Sequence, residues 1–124
     1  MKQISTTNAP AAIGPYSQAL SAGNLTFVSG QIPVDPATGL MADTIEEQAT
    51  QALTNLKNVL AAAGLDMSNV IKTAVFLADL GDFPVVNRIY ESFFEAPYPA
   101  RSCVQVAGIP KGALVEIECI AVKE

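Results

Sequence analysis

From Ile45 to Ala63 the apolar residues recur at helical spacing: Ile45, Ala49, Ala52, Leu53, Leu56, Val59, Leu60 and Ala63. This pattern predicts a long helix with one buried face. Thr44 followed by Glu47 has the form of a capping box, with Asp43 as an alternative cap, and Gly64 supplies the stop. A second helix is predicted to start at Asp82, with Pro84 in its first turn. Val86, Tyr90, Phe93 and Phe94 form its inner face, and Pro97 and Pro99 end it. Elsewhere the pattern is that of strands. Lys2 to Thr6 is a short one, and Tyr16 to Leu20 and Leu25 to Ser29 flank a turn at Ala22-Gly23-Asn24. Gly30 to Leu40, with two prolines, reads as loop. Val70 to Ala78 is nearly all apolar and rich in β-branched residues, which predicts a central strand.

The last quarter alternates. Arg101, Cys103 and Gln105 fall on one face of a strand, opposite Ser102, Val104 and Val106; Glu116, Glu118 and Ile120 fall on one face of the next, opposite Val115, Ile117, Cys119 and Ala121. The intervening Gly108 to Ala113 predicts a turn, and so a terminal hairpin with Gln105 beside Glu116 and Cys103 beside Glu118. In this register, or one slipped by two residues, Arg101, Cys103 and Glu116 share a sheet face. Cys119 then lies on the face opposite Cys103, which argues against a disulfide. Residues 1–124 are expected to form a single α+β domain, a sheet with two helices packed on one face.

Composition changes the picture in three ways. Half of the 124 residues are hydrophobic and 15% are charged, against roughly 25% charged in typical soluble domains. No segment reaches the roughly 18 consecutive apolar residues of a membrane helix, and the run from Val70 to Ala78 is interrupted by Lys72. Self-association is the expected outlet for the excess apolar surface. There is no histidine, which excludes Ser-His-Asp and Cys-His pairs and HExxH zinc sites. A net charge of −5, with seven lysines and arginines, disfavours a nucleic-acid partner. The two cysteines make no disulfide framework and lack metal-ligand spacing. Met1 to Ala9 is polar, with no apolar signal core, so a reduced, cytoplasmic protein is expected.

Of the two arginines, Arg88 and Arg101, the second lies in the alternating segment beside the carboxylates. An arginine offers a planar fork to a ligand carboxylate, and a desolvated glutamate can take a proton from water and return it to a leaving group. Arg101 and Glu116 therefore suit water addition next to a carboxylate; by periodicity alone they read more readily as a surface ion pair, which is common on exposed faces. Cys103 has no histidine or nearby lysine to activate it and reads better as a pocket wall than as a nucleophile. Tyr16 is a site hydroxyl or a packing ring, and Asn87 a ligand contact or a solvated helix residue. Ser29-Gly30-Gln31 is a source of free main-chain donors or only a turn. Neither phosphate-loop pattern, GxGxxG or GK[ST], is present.

Four separated segments resemble the signatures of the RidA (YjgF/YER057c/UK114) family, in the same order over nearly the whole chain. They are Asn8-Ala9-Pro10-Ala11-Ala12-Ile13-Gly14-Pro15-Tyr16-Ser17-Gln18, Ser29-Gly30-Gln31-Ile32-Pro33, Pro99-Ala100-Arg101-Ser102-Cys103-Val104, and Pro110-Lys111-Gly112-Ala113-Leu114-Val115-Glu116-Ile117-Glu118. The resemblance implies a chorismate-mutase-like α+β fold in a homotrimer, with a central barrel of sheets and sites between subunits. It implies hydrolysis of reactive 2-imino or enamine acids to 2-oxo acids and ammonia, without a cofactor. Such substrates are released by pyridoxal-phosphate-dependent serine and threonine dehydratases. By the same resemblance Arg101 anchors the substrate carboxylate and Glu116 activates water, while Cys103, Tyr16, Ser29, Gly30 and Asn87 line the pocket. The alternative is a non-catalytic trimer that binds small carboxylates as a regulator, or acts as a holdase-like chaperone.

Overall fold

A computed structural model describes all 124 residues. The predicted long helix spans Ile45–Ala62 (α1). The Thr44 hydroxyl accepts from the Glu47 main-chain N–H at 3.2 Å. Glu47 Oε1 in turn accepts from the same hydroxyl at 3.0 Å, so its carboxylate meets the side chain of the cap. Ala49, Ala52, Leu53, Leu56, Val59 and Leu60 are all fully buried, and Ile45 and Ala63 pack at the ends of the same stripe. Two buried amides interrupt the stripe and are fully used. Asn55 donates to the carbonyls of Ile32 (3.0 Å) and Val34 (2.9 Å). Gln48 donates to the Ala42 carbonyl and accepts from Leu114 N–H, both at 2.8 Å. They tie the proline-rich loop and the entry to the last strand onto the helix, and no buried side-chain nitrogen or oxygen in the chain is left unpaired.

The second helix covers Phe83–Phe93 (α2), with Pro84 in its first turn. Asp82 occupies the cap position but makes no side-chain cap bond. The preceding turn is held instead by Asp79, whose Oδ1 accepts from Gly81 N–H at 2.8 Å. Val86 and Tyr90 are buried and Phe93 half-buried, and Phe94 is buried just past the helix end, its ring centroid 4.5 Å from that of Tyr90.

Six strands, Lys2–Ile4 (β1), Ala19–Ala22 (β2), Leu25–Gln31 (β3), Val70–Leu77 (β4), Ala100–Gln105 (β5) and Val115–Val122 (β6), form one sheet in the order β1-β2-β3-β6-β4-β5. Only β4 and β5 pair in parallel, and α2 supplies the crossover between them. The predicted terminal hairpin is absent: β4 lies between β5 and β6 and bonds to both. Alternation specifies a strand's two faces but not its neighbour. A buried central strand needs a partner on each side, and β5 and β6 are the two that β4 takes.

The same correction applies to the faces. Thr73 stands opposite both Arg101 and Cys119, and Phe76 opposite both Val104 and Glu116. Arg101 and Cys103 therefore share the helix-covered face with Val75, Leu77, Ile117 and Cys119, whereas Glu116 is on the other face. The two cysteines lie on the same side of the sheet, contrary to the hairpin register, and both are free thiols. The helix-covered face joins α1 and α2 in one apolar core. The opposite face presents Phe27, Phe76, Val104 and Ile120 among Lys72, Ser102, Glu116 and Glu118, and Phe27 and Val104 are each 46% exposed. No helix is long and apolar enough to cross a membrane.

Candidate active site

Arg101 lies on β5, an edge strand, with its side chain turned toward α2. Its Nη1 donates to Asn87 Oδ1 at 2.8 Å. The guanidinium carbon sits 4.8 Å from the Tyr90 ring centroid and 5.3 Å from that of Phe83. Ring faces attract a cation without neutralising it, with about 0.5–2 kcal/mol for each such contact. A guanidinium has five N–H donors, and here its partners are a neutral amide and two rings, so its charge remains available to an anion. The surface ion pair with Glu116 does not form, because the two side chains leave opposite faces of the sheet. Cys103, two residues along β5, is half-buried; burial pushes its thiol up, and the nearby Arg101 offsets this only in part. A protonated thiol fits a wall better than a nucleophile.

The other predicted residues gather on β3, β6 and the loop before β2. Pairing of β3 with β6 shifts register between Val28 and Gln31. Such an irregularity re-aims side chains and frees main-chain groups. Ser29 N–H turns to the Gln18 carbonyl at 2.9 Å, and its hydroxyl donates to the Ser17 carbonyl at 2.6 Å. These bonds bring the loop carrying Tyr16 to the edge of Ser29-Gly30, and Tyr16 itself is 51% exposed. The loop is organised from within by Gln18, which is buried. Its Oε1 accepts from Thr6 N–H at 2.7 Å, and its Nε2 donates to the Pro10 and Thr6 carbonyls at 2.8 and 3.1 Å.

Glu116 lies against Gly30. A Cβ at Gly30 would stand 2.6 Å from Glu116 Oε2 and 2.7 Å from its carboxyl carbon. The glycine of Ser29-Gly30-Gln31 therefore leaves the space this carboxylate occupies, and a side chain there would make Glu116 shift. Burial raises the proton affinity of Glu116, and Glu118, two residues along the same face, raises it further. A carboxylate with its proton affinity raised in this way is better suited to taking up and returning a proton than a fully solvated one.

The predicted residues thus fall into two halves, Arg101 with Asn87 and Cys103, and Glu116 with Gly30, Ser29 and the Tyr16 loop. Within one chain β4 lies between their strands, β5 and β6, which are about 10 Å apart, and Arg101 and Glu116 use opposite faces of the sheet. Sequence reading placed Tyr90 only in the core and passed over Phe83, Thr73 and Gln18. The signal for the helix residues was present: Phe83, Asn87 and Tyr90 stand at i, i+4 and i+7, one stripe of α2.

Residues 6–123 match the family described as Endoribonuclease L-PSP. The 2-iminobutanoate/2-iminopropanoate deaminase of Salmonella typhimurium is 53% identical, over 98% of this chain and 98% of that protein. The mouse protein of the same name is also 53% identical, over 98% and 91% respectively. Among solved structures, Escherichia coli TdcF with bound serine superposes with a TM-score of 0.97 at 48% identity, covering both chains completely. The E. coli YjgF gene product does so at 0.97 and 50%, again with complete coverage of both. With the family match over residues 6–123, relatives about half identical over nearly the whole chain and the same fold in solved structures, the chain belongs to the endoribonuclease L-PSP family, the RidA (YjgF) proteins.

Proposed function

We propose that this chain is a 2-iminobutanoate/2-iminopropanoate deaminase. The observation that carries the reading is the Arg101 guanidinium, held in place by Asn87 and two aromatic rings with its charge left for a ligand. Arg101 binds the substrate carboxylate through its planar fork. Water adds to the carbon of the C=N bond, Glu116 takes a proton from it and delivers one to nitrogen, and the resulting carbinolamine expels ammonia to leave the 2-oxo acid. Such imines already react with water, so positioning and one proton carrier are enough. Neither a metal nor a cofactor has a role in this scheme. Cys103, Tyr16, Ser29 and Gly30 line the pocket, and the substrates come from pyridoxal-phosphate-dependent serine and threonine dehydratases.

The two halves meet between copies in a homotrimer: the Arg101 half of one chain faces the Glu116 half of its neighbour. Support comes from the edge position of β5, the apolar open face and the low charged fraction. Serine bound to TdcF, a relative matched over its full length, is consistent with a small ligand bearing a carboxylate. Phosphodiester cleavage suits this chain poorly, given its net charge of −5 and lack of histidine.

The test is a coupled assay in which purified serine or threonine dehydratase generates the imine and 2-oxo acid formation is followed. The wild-type chain is expected to accelerate it. Arg101→Ala should abolish the acceleration, and unchanged activity in that variant would sink the assignment. Glu116→Gln should still bind 2-oxobutanoate yet lose about a hundredfold or more in turnover. Binding without turnover in the wild type would point to a small-carboxylate regulator instead.

A further inference from the structure

Arg101 is built into a cradle that goes beyond the pocket residues named so far. Phe83, Asn87 and Tyr90 present one stripe of α2, and all three reach the guanidinium. Across the sheet from Arg101, its register partner on β4 is Thr73. Thr73 is fully buried, and its hydroxyl shares a 2.8 Å hydrogen bond with the Tyr90 hydroxyl. Tyr90 is thus fixed at both ends, its body in the core under the helix and its hydroxyl on the strand beside the arginine. A long arginine side chain has many rotamers, and binding a ligand in one of them costs conformational entropy unless it is already held there. A carboxylate partner would hold it equally well but would compete with the substrate for the same N–H groups. Rings hold it from its face and leave the edge donors free.

We propose that Phe83 and Tyr90, with Tyr90 locked to β4 by Thr73, are positioning residues that preset the Arg101 guanidinium for the substrate carboxylate. The inference rests on the carboxylate-binding role of Arg101 proposed above. It assigns to the aromatic rings an effect on substrate affinity and not on the proton-transfer step, which belongs to Glu116.

The experiment measures kcat and KM in the coupled assay, and the Kd of 2-oxobutanoate by calorimetry, for Phe83→Leu, Tyr90→Leu, Tyr90→Phe and Arg101→Ala in the intact protein. Phe83→Leu and Tyr90→Leu are expected to raise KM and Kd by about fivefold or more, with kcat held within about twofold. Tyr90→Phe keeps the ring and should rescue most of the affinity lost in Tyr90→Leu. A purely structural role would lower the fraction of folded protein, and so kcat, and leave KM where it was. Unchanged KM and Kd in Phe83→Leu, which removes a half-buried ring and so disturbs the core less than loss of the buried Tyr90 ring does, would overturn the proposal. Loss of binding in Arg101→Ala alongside an unaffected Phe83→Leu overturns the cradle alone. Undiminished binding in Arg101→Ala overturns the anchoring role on which it rests.

Discussion

Glu116 is held in a setting that opposes its own charge. Burial and the neighbouring Glu118 both raise its proton affinity, so the folded state binds this proton more tightly than the unfolded chain does. Stability contributed at this position is therefore present at low pH and lost as pH rises through the raised folded pKa. Glu116→Gln removes the conflict, and its melting temperature at neutral pH is expected to equal or exceed that of the wild type. That difference should shrink as the pH is lowered toward the ordinary carboxylate range; thermal melts of both proteins over this range check it. If Glu116 is the proton carrier proposed above, activity requires its carboxylate form and should fall on the acid side of the same pKa. Gly30 bears on the same group from the other side. Gly30→Ala would drive a methyl into the carboxylate, and turnover is expected to drop about tenfold or more. With Arg101 as the proposed carboxylate anchor, the Kd of 2-oxobutanoate should change much less.

At the scale of elements, the helices do different work. α1 is the anchor of the core: six of its apolar residues are fully buried, and Gln48 and Asn55 fasten two loops to it. Leu53 lies at the centre of that stripe and is fully buried. Leu53→Ala should cost about 2–5 kcal/mol, transfer and cavity together, measured by denaturant unfolding at fixed protein concentration. α2 is shorter, and on the side facing β5 its Phe83, Asn87 and Tyr90 turn to the Arg101 guanidinium. Its start also departs from the simplest expectation, since Asp79 fastens the turn that precedes it while Asp82 makes no cap bond.

At the scale of the whole molecule, the separation of Arg101 from Glu116 by a strand and by a change of face leads to a complementation experiment. If each site takes its arginine from one chain and its glutamate from the next, two inactive variants should restore each other. Mixed assemblies of Arg101→Ala and Glu116→Gln in equal amounts are expected to recover about a quarter of the wild-type sites, because each interface draws its two halves independently. Sites built within one chain would recover none. The same assemblies should sediment at three times the 13.0 kDa chain mass.

The local pattern was sufficient for much of this molecule. The period of 3.6 residues marked α1 and its cap at Thr44, the nearly continuous apolar run from Val70 marked a central strand, and the absence of histidine excluded Ser-His-Asp and Cys-His pairs and HExxH zinc sites. Signature segments marked the family. These properties depend on neighbouring residues or on composition, so a single chain read in order displays them. Strand adjacency does not. Arg101 and Glu116 alternate with apolar residues in the same way whether β5 and β6 pair directly or flank β4, and the alternation leaves both arrangements equally regular. The choice was made by β4, which needs hydrogen-bond partners on both edges, and by α2, whose crossover places β5 parallel to it. Only that tertiary arrangement put Arg101 under the rings of α2, laid Glu116 against Gly30, and parted the two across the sheet.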